Sequence, residues 1–440
     1  MMEKTVTKFG GTSLANADQF RKVRDIILSD PKRKYVIASA PGKRFPDDIK
    51  VTDLLLRCYD SASKGESFSK DLALIEARFQ EIIDELAIDF DLSEDIETLH
   101  RHLASTPIRD YVASRGEYLN SRILAAYLGF TFVDPAWCIS FNADGTLNMP
   151  LTMRTMRAAL MPLDKVVIAG FYGADSDDIV HTFSRGGSDI TGSLVALAIK
   201  AELYENWTDV SALLAADPRI IDNPRSVRYL TYRELRTLSY MGASVLHTDA
   251  VLPASGAGIP INIRNTNAPD DPGTMIMRKL PPHITRSAIT GVAGRKGMSV
   301  MQVEKVMVSD GAGFSAVMLD ILKQRSIPFE QCLTGIDTIT LVIRSLVLDS
   351  CKEELIEEIK NELQPDNIAV KEHLCMIAVT GEKDTGSSDA NMKVLQALAE
   401  EKIEISTINQ GAGKLNLLIG VPEECYEKAI RNIYRTLENN

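Results

Sequence analysis

The chain lacks several features that would tie it to common protein classes. Its six cysteines, Cys58, Cys138, Cys332, Cys351, Cys375 and Cys425, include no C-x-x-C pair. That spacing argues against a zinc site or a disulfide framework, and for reduced thiols. No apolar run reaches the ~18 residues of a membrane helix, and the N-terminus opens directly on a strand pattern, so a cytoplasmic location and no membrane partner are expected. Positive charge is in deficit: 49 Lys and Arg against 60 Asp and Glu give a formal charge of -11. Such a field repels nucleic acid, so an anionic substrate has to be met by local cations. The pattern G-x-x-x-x-G-K-[ST] occurs nowhere, which excludes a Walker loop.

What is present is an ordinary globular composition, 45% hydrophobic and 25% charged over 440 residues, enough for two or three domains. Near the N-terminus, Lys8-Phe9-Gly10-Gly11-Thr12-Ser13 follows the strand pattern Thr5-Val6-Thr7 and precedes a helical pattern through Phe20, Val23, Ile26 and Ile27. Paired glycines let a backbone approach a ligand, and the N–H groups of such a turn with a nearby lysine suit a phosphate. An ordinary βα turn is the alternative. The run Tyr35 to Ala40 reads as a buried parallel strand, Lys43 to Lys50 as a surface excursion, and residues from about 66 to 105 as a helical insertion with a solvated acidic face and no assigned chemistry. Ser114 and Glu117 have the spacing of a capping box. Ser184-Arg185-Gly186-Gly187-Ser188-Asp189 opens an apolar helix that Ser188 could cap, and Arg185 can grip a carboxylate or phosphate. Two glycine-rich helix starts, each with a basic residue, suggest two anionic groups held face to face, as phosphoryl transfer requires. Met241 to His247 reads as a helix start, Ala216 to Arg219 as a turn, and Pro281-Pro282 as a domain boundary.

The C-terminal part repeats itself. Sliding it by 76 residues lays Met318–Ile343 over Val394–Ile419, with identities at Leu319/Leu395, Leu322/Leu398, Ile327/Ile403, Gly335/Gly411, Leu341/Leu417 and Ile343/Ile419. Each copy reads as part of a βαββαβ unit of about 70 residues.

Taken together, Lys8 to Ser13, Ser39-Ala40, Arg115-Gly116-Glu117, Gly170-Phe171, Arg185 to Asp189, Trp207-Thr208-Asp209 and Asp217-Pro218-Arg219 resemble the aspartokinase family over essentially the whole chain. The resemblance implies a monofunctional enzyme with an α/β amino-acid kinase domain, a mostly parallel sheet between helices, over residues 1–283 with a helical insertion at about 60–110. Two ACT-type βαββαβ domains are implied at 284–368 and 369–440. It further implies ATP and Mg²⁺ as cofactors, L-aspartate as acceptor, and aspartyl phosphate as product. Lys8 and Asp189 would be catalytic; Lys8, Gly10, Gly11, Ser39, Thr208, Asp209 and Arg219 would hold ATP. Thr52, Glu117, Phe171, Arg185, Ser188 and Asp189 would surround aspartate, Arg185 on its α-carboxylate and Glu117 on its ammonium. No protein ligand to a metal is assigned. The paired repeats imply feedback inhibition, by lysine rather than threonine, at Ser309, Asp310, Gly313, Phe314, Ile327, Glu330 and Thr334, and a homodimer or homotetramer. The chain departs from the family pattern at Ser244, where many members carry Lys, and at Leu214, where Tyr is usual; another Arg or Lys is expected to compensate. An acetylglutamate-type carboxylate kinase and a catalytically silent amino-acid sensor are the alternatives from the residues alone.

Overall fold

A computed structural model describes residues 4–438 apart from 185, 243–245, 247–248, 282–283, 285–286, 288, 307–310, 382–386 and 411–415. The chain folds as two units, one of Met1–Leu213, Ser226–Arg236 and Val245–Ile284, the other of Leu214–Arg225, Thr237–Ser244 and Thr285–Asn440.

In the first unit the buried apolar runs pair side by side. Among the described residues they form an eight-stranded sheet from β1 (Thr5–Phe9), β2 (Arg33–Ala38), β3 (Thr131–Val133), β4 (Val166–Ala169), β5 (Leu203–Thr208), β6 (Tyr229–Thr231), β7 (Ile261–Asn265) and β8 (Thr274–Met277). The order is β6-β8-β7-β5-β1-β2-β4-β3, parallel at every step except β7 with β8. β1 is buried at every position, and β2 is apolar and buried from Tyr35 to Ala38, because helices cover both faces of a parallel sheet. Helices α1 (Ala17–Leu28), α2 (Val51–Ser63), α3 (Ser69–Leu86), α4 (Ser93–Ala104), α5 (Arg109–Leu128), α6 (Met149–Leu160) and α7 (Gly187–Ile199) supply that cover. α1 buries Phe20, Val23, Ile26 and Ile27, and Asn16 caps it by accepting from Gln19 N at 3.0 Å. The helical insertion is not an appendage: Leu72, Ile75, Phe79, Ile96 and Leu99 share one core with Phe9, Phe20, Val36, Leu55 and Trp207.

Two local expectations fail. α5 begins at Arg109, so Ser114 and Glu117 sit inside the helix and form no capping box; Ser114 Oγ instead donates to the Tyr111 carbonyl at 2.7 Å. α7 is entered through Gly186 in the left-handed conformation with no side-chain cap, which leaves Ser188 inside the first turn. The helix start expected at Met241 to His247 falls largely outside the described residues, between helices at Tyr232–Tyr240 and Leu252–Ala257. Gly242, with φ +103, ends helical geometry there.

The second unit is built on two long antiparallel strands, β9 (Ile289–Glu304) and β12 (Asn367–Gly381), paired along their length. With β10 (Gln331–Thr334), β11 (Thr338–Arg344), β13 (Thr407–Gln410) and β14 (Asn416–Pro422) they make a described sheet of order β10-β11-β9-β12-β14-β13. One core joins Met301 and Val303 to Met318, Leu322, Leu341, Ile343 and Ile359. The other joins Ile377 and Val379 to Val394, Leu398, Leu417, Ile419 and Ile430, and it takes Ile289 and Val292 as well. The repeat identities at Leu322/Leu398, Leu341/Leu417 and Ile343/Ile419 are thus core positions of both copies. Ile289 and Val292, at the start of β9, thus pack into the core of the second copy.

Candidate active site

Lys8 is the penultimate residue of β1 and lies beside Asn206 of β5 in parallel register. Its ammonium sits 2.6 Å from Asp189 Oδ1, with the two side chains only 10% and 15% exposed. Asn206 Nδ2 donates to the same Asp189 oxygen at 2.9 Å, and its Oδ1 lies 3.4 Å from Lys8 Nζ. The cluster therefore comes from β1, β5 and the first turn of α7. The carboxylate and amide dipole fix the ammonium at the end of the sheet, where open α/β folds bind ligands.

Both glycine turns are required by close packing around this ammonium. Gly10 N donates to the Trp207 carbonyl at 2.9 Å, and Gly42 N to the Gly11 carbonyl at 2.8 Å. A Cβ on Gly11 would stand 2.8 Å from Ala40 O, and one on Gly42 2.6 Å from the Gly11 carbonyl carbon. On the opposite turn, Gly170 leaves room for Ser188, whose Oγ a Cβ there would meet at 2.4 Å, while Gly187 leaves room for the Phe171 ring. Phe171 adopts φ +83, and its N–H donates to Thr191 Oγ1 at 3.1 Å. The Gly170-Phe171 turn is in this way pressed against the start of α7, bringing Phe171, Ser188 and Asp189 together. Arg185, the residue expected to pair with the α-carboxylate, lies outside the described residues.

Glu117 faces the same place from α5. It is 7% exposed, and its Oε2 has no hydrogen-bond partner. Burial pushes its carboxyl up to about 8, against the opposing pull of the backbone N–H groups of Ala40 and of its own residue and of the Lys8 charge. Such a group is set up to receive a cation. Gly116 permits the approach of α5, since a Cβ there would lie 2.8 Å from Ala40 Cβ. Asn120, one turn on, donates to the Ser39 carbonyl at 2.6 Å. Thr52 occupies the first turn of α2, half-buried.

Thr208 ends β5 and its Oγ1 donates to Oδ1 of the exposed Asp209 at 3.2 Å. Arg219 folds with the second unit, 85% exposed and held by Asp217 at 2.6 Å. Leu214 is also in that unit, and Ser244 is outside the described residues. Of the effector candidates, Phe314 and Ile327 are core residues, Gly313 and Thr334 are exposed, and Ser309 and Asp310 are not described. Glu330 is already engaged, accepting from Arg344 Nε at 2.7 Å and from the Tyr240 hydroxyl.

Sequence reasoning passed over Asn206 and Arg78. A polar residue inside a buried strand was the available signal for Asn206. Arg78, from the insertion given no chemistry, is 5% exposed and donates to the carbonyls of Ala15 and Gly42 and to Asp48 at 2.8 to 3.3 Å. Burial works against ionisation of Asp48, but hydrogen bonds from Arg44 and Arg78 outweigh it and hold its carboxyl well below the usual range. The segment Lys43 to Lys50, expected as a surface excursion, is thereby tied to the glycine turn.

A mostly parallel sheet ending in glycine turns around a buried lysine defines an α/β protein that binds small anions. Consistently, a model of the amino acid kinase family matches residues 3–265, and an ACT domain model matches 377–437. The chain is 35% identical to aspartokinase 3 of Bacillus subtilis (strain 168), with 98% of each covered. The crystal structure of Clostridium acetobutylicum aspartate kinase superposes with a TM-score of 0.86 at 41% identity over the whole of both chains. Escherichia coli aspartokinase III in complex with aspartate and ADP shares the fold, with a TM-score of 0.77 at 24% identity, 99% of this chain and 100% of that one being covered. The chain belongs to the aspartokinases and is an ATP-dependent kinase acting on aspartate, with a regulatory ACT region. The acetylglutamate-kinase and silent-sensor alternatives are set aside.

Proposed function

We propose that the chain moves the γ-phosphoryl group of ATP to the β-carboxylate of L-aspartate, giving 4-phospho-L-aspartate and ADP, the first step towards lysine, threonine and methionine. The observation that carries this reading is the buried Lys8–Asp189–Asn206 cluster between the Gly10-Gly11 and Gly186-Gly187 turns. A carboxylate oxygen attacks the γ-phosphorus while the bond to the β,γ-bridging oxygen breaks. The Lys8 ammonium and the Gly11 amide take up charge on the transferring group; the Gly10 N–H, expected to join them, is given to the Trp207 carbonyl. Asp189 holds Lys8 in place. Glu117 receives the aspartate ammonium, Arg185 its α-carboxylate, and Thr52, Phe171 and Ser188 close the pocket. Ser39, Thr208 and Asp209 line the nucleotide site.

The described residues hold no group of three or more His, Cys, Asp or Glu placed to cage a metal. Mg²⁺ would be bound largely by the nucleotide phosphates and water and would neutralise their charge. Lysine is the inhibitor we favour: Glu330 offers its side chain a carboxylate, for which it has to replace Arg344. A homodimer or homotetramer through the ACT domains accounts for Leu319 and Leu395, equivalent in the repeat and left 40% and 37% exposed. Six unpaired cysteines support action in a reducing cytoplasm.

The test is ATP-dependent acyl phosphate formation, trapped as the hydroxamate, with aspartate and then with lysine or threonine. Hydroxamate from aspartate that falls with lysine supports both parts of the reading. Hydroxamate unaffected by lysine removes the effector assignment, and none at all from a folded sample removes the reaction.

A further inference from the structure

α5 carries two stripes of opposite use. Gly116, Glu117 and Asn120 face Ala40 and Ser39 at the active site, whereas Tyr111, Arg115, Tyr118 and Arg122, spaced by four, three and four residues, share the other side. That second stripe, with Glu94, Asp95, Thr98 and Leu99 of α4, lines a cavity of about 300 Å³, within the range of small-ligand sites.

Arg115 dominates the cavity. It is 9% exposed, yet among the described residues no carboxylate lies within ion-pair distance of it. Its guanidinium is walled by three tyrosine rings, with centroids at 4.3 Å (Tyr111), 4.4 Å (Tyr118) and 5.3 Å (Tyr172), and donates to Ser114 Oγ at 3.0 and 3.2 Å. Ring faces compensate a buried cation only partly, and a planar guanidinium so placed matches a carboxylate. Arg122, by contrast, is paired with Asp95. Glu94, exposed at the mouth, is the remaining carboxylate of the lining. The lining holds two acidic and two basic groups, so a ligand of no net charge leaves it balanced.

We propose that this cavity is a further amino-acid site, separate from the aspartate pocket and from the ACT region, which takes a zwitterion with its carboxylate on Arg115 and its ammonium toward Glu94. Because Arg115 and Glu117 stand two residues apart on one helix, occupancy stiffens the element that presents Glu117.

Hydrogen–deuterium exchange of the full chain, read separately on peptides within 93–104 and within the ACT region, tests this with glycine, alanine, lysine and threonine as probes. Acetate and phosphate serve as anion controls. At ten times its dissociation constant a bound amino acid should slow exchange of the 93–104 peptide about tenfold. Glu94→Gln, an exposed change expected to fold and keep basal activity, should abolish that slowing while leaving any slowing in the ACT peptides. Arg115→Met should abolish it too. Protection by none of the four amino acids, protection by the anions alone, or protection that survives in Glu94→Gln and Arg115→Met would each overturn the proposal and leave Arg115 a structural cation among aromatic rings.

Discussion

On the proposed mechanism, removing the Lys8 ammonium takes away a cation that meets the transferring phosphoryl group; it leaves Asp189 with Asn206 as its described side-chain partner. Lys8→Ala should lower kcat about a hundredfold, roughly 3 kcal/mol of barrier, with KM for aspartate changed far less; steady-state hydroxamate kinetics separate the two. Glu117 makes a prediction of a different kind. Its carboxyl ordinarily titrates near 4.5, and burial moves it up to about 8. Between those values the unfolded chain holds fewer protons than the folded one, so stability falls as pH rises from 4.5 to 8 and levels off above. Glu117→Gln removes that slope. The variant should therefore gain on the parent between melts run at pH 5 and at pH 8, while binding aspartate more weakly at both. The ionised form is the one that receives an ammonium, so KM for aspartate in the parent should fall as pH rises through 8. A flat KM profile in the parent would detach Glu117 from the substrate.

The elements depend on close approach at points with no side chain of their own. Gly42→Ala forces a methyl into the Gly11 carbonyl, backbone against backbone. It should cost about 1–3 kcal/mol or more and most of the activity. Gly256, in the short helix Leu252–Ala257, has nothing within 4 Å of an added Cβ, so Gly256→Ala should stabilise by about 0.5–1 kcal/mol. Paired denaturant titrations measure both, and similar effects at the two sites would refute the packing argument. The same contrast explains how much the sequence revealed. The strand, glycine turn and helix order at residues 5–28 was legible, because each element carries its own periodicity. So was the repeat, whose identities mark core positions. Arg78 and Asn206 were not, because their partners lie far along the chain: Gly42 is 36 residues from Arg78, and Lys8 is 198 from Asn206. The apparent capping box misled for a related reason, since local spacing cannot register that α5 starts five residues earlier.

At the scale of the whole molecule, β9 runs through both cores of the second unit, so the ACT repeats are not independent modules. A fragment of residues 369–440 lacks Ile289 and Val292 and exposes the Ile377–Val379 face they cover. It should stay unfolded by circular dichroism where a 285–440 fragment shows a cooperative transition; a folded short fragment would contradict the shared core. Regulation follows from thermodynamic linkage and needs no assumption about how the units are arranged. If lysine weakens aspartate binding tenfold, the coupling is about 1.4 kcal/mol, and aspartate must weaken lysine binding by that same factor. Calorimetric titration of lysine with and without saturating aspartate should return the factor found when the order is reversed. Lysine that lowers turnover while its own affinity ignores aspartate would place inhibition on the chemical step rather than on substrate binding, with Lys8 and the glycine turns, not Glu117, as the groups it disturbs.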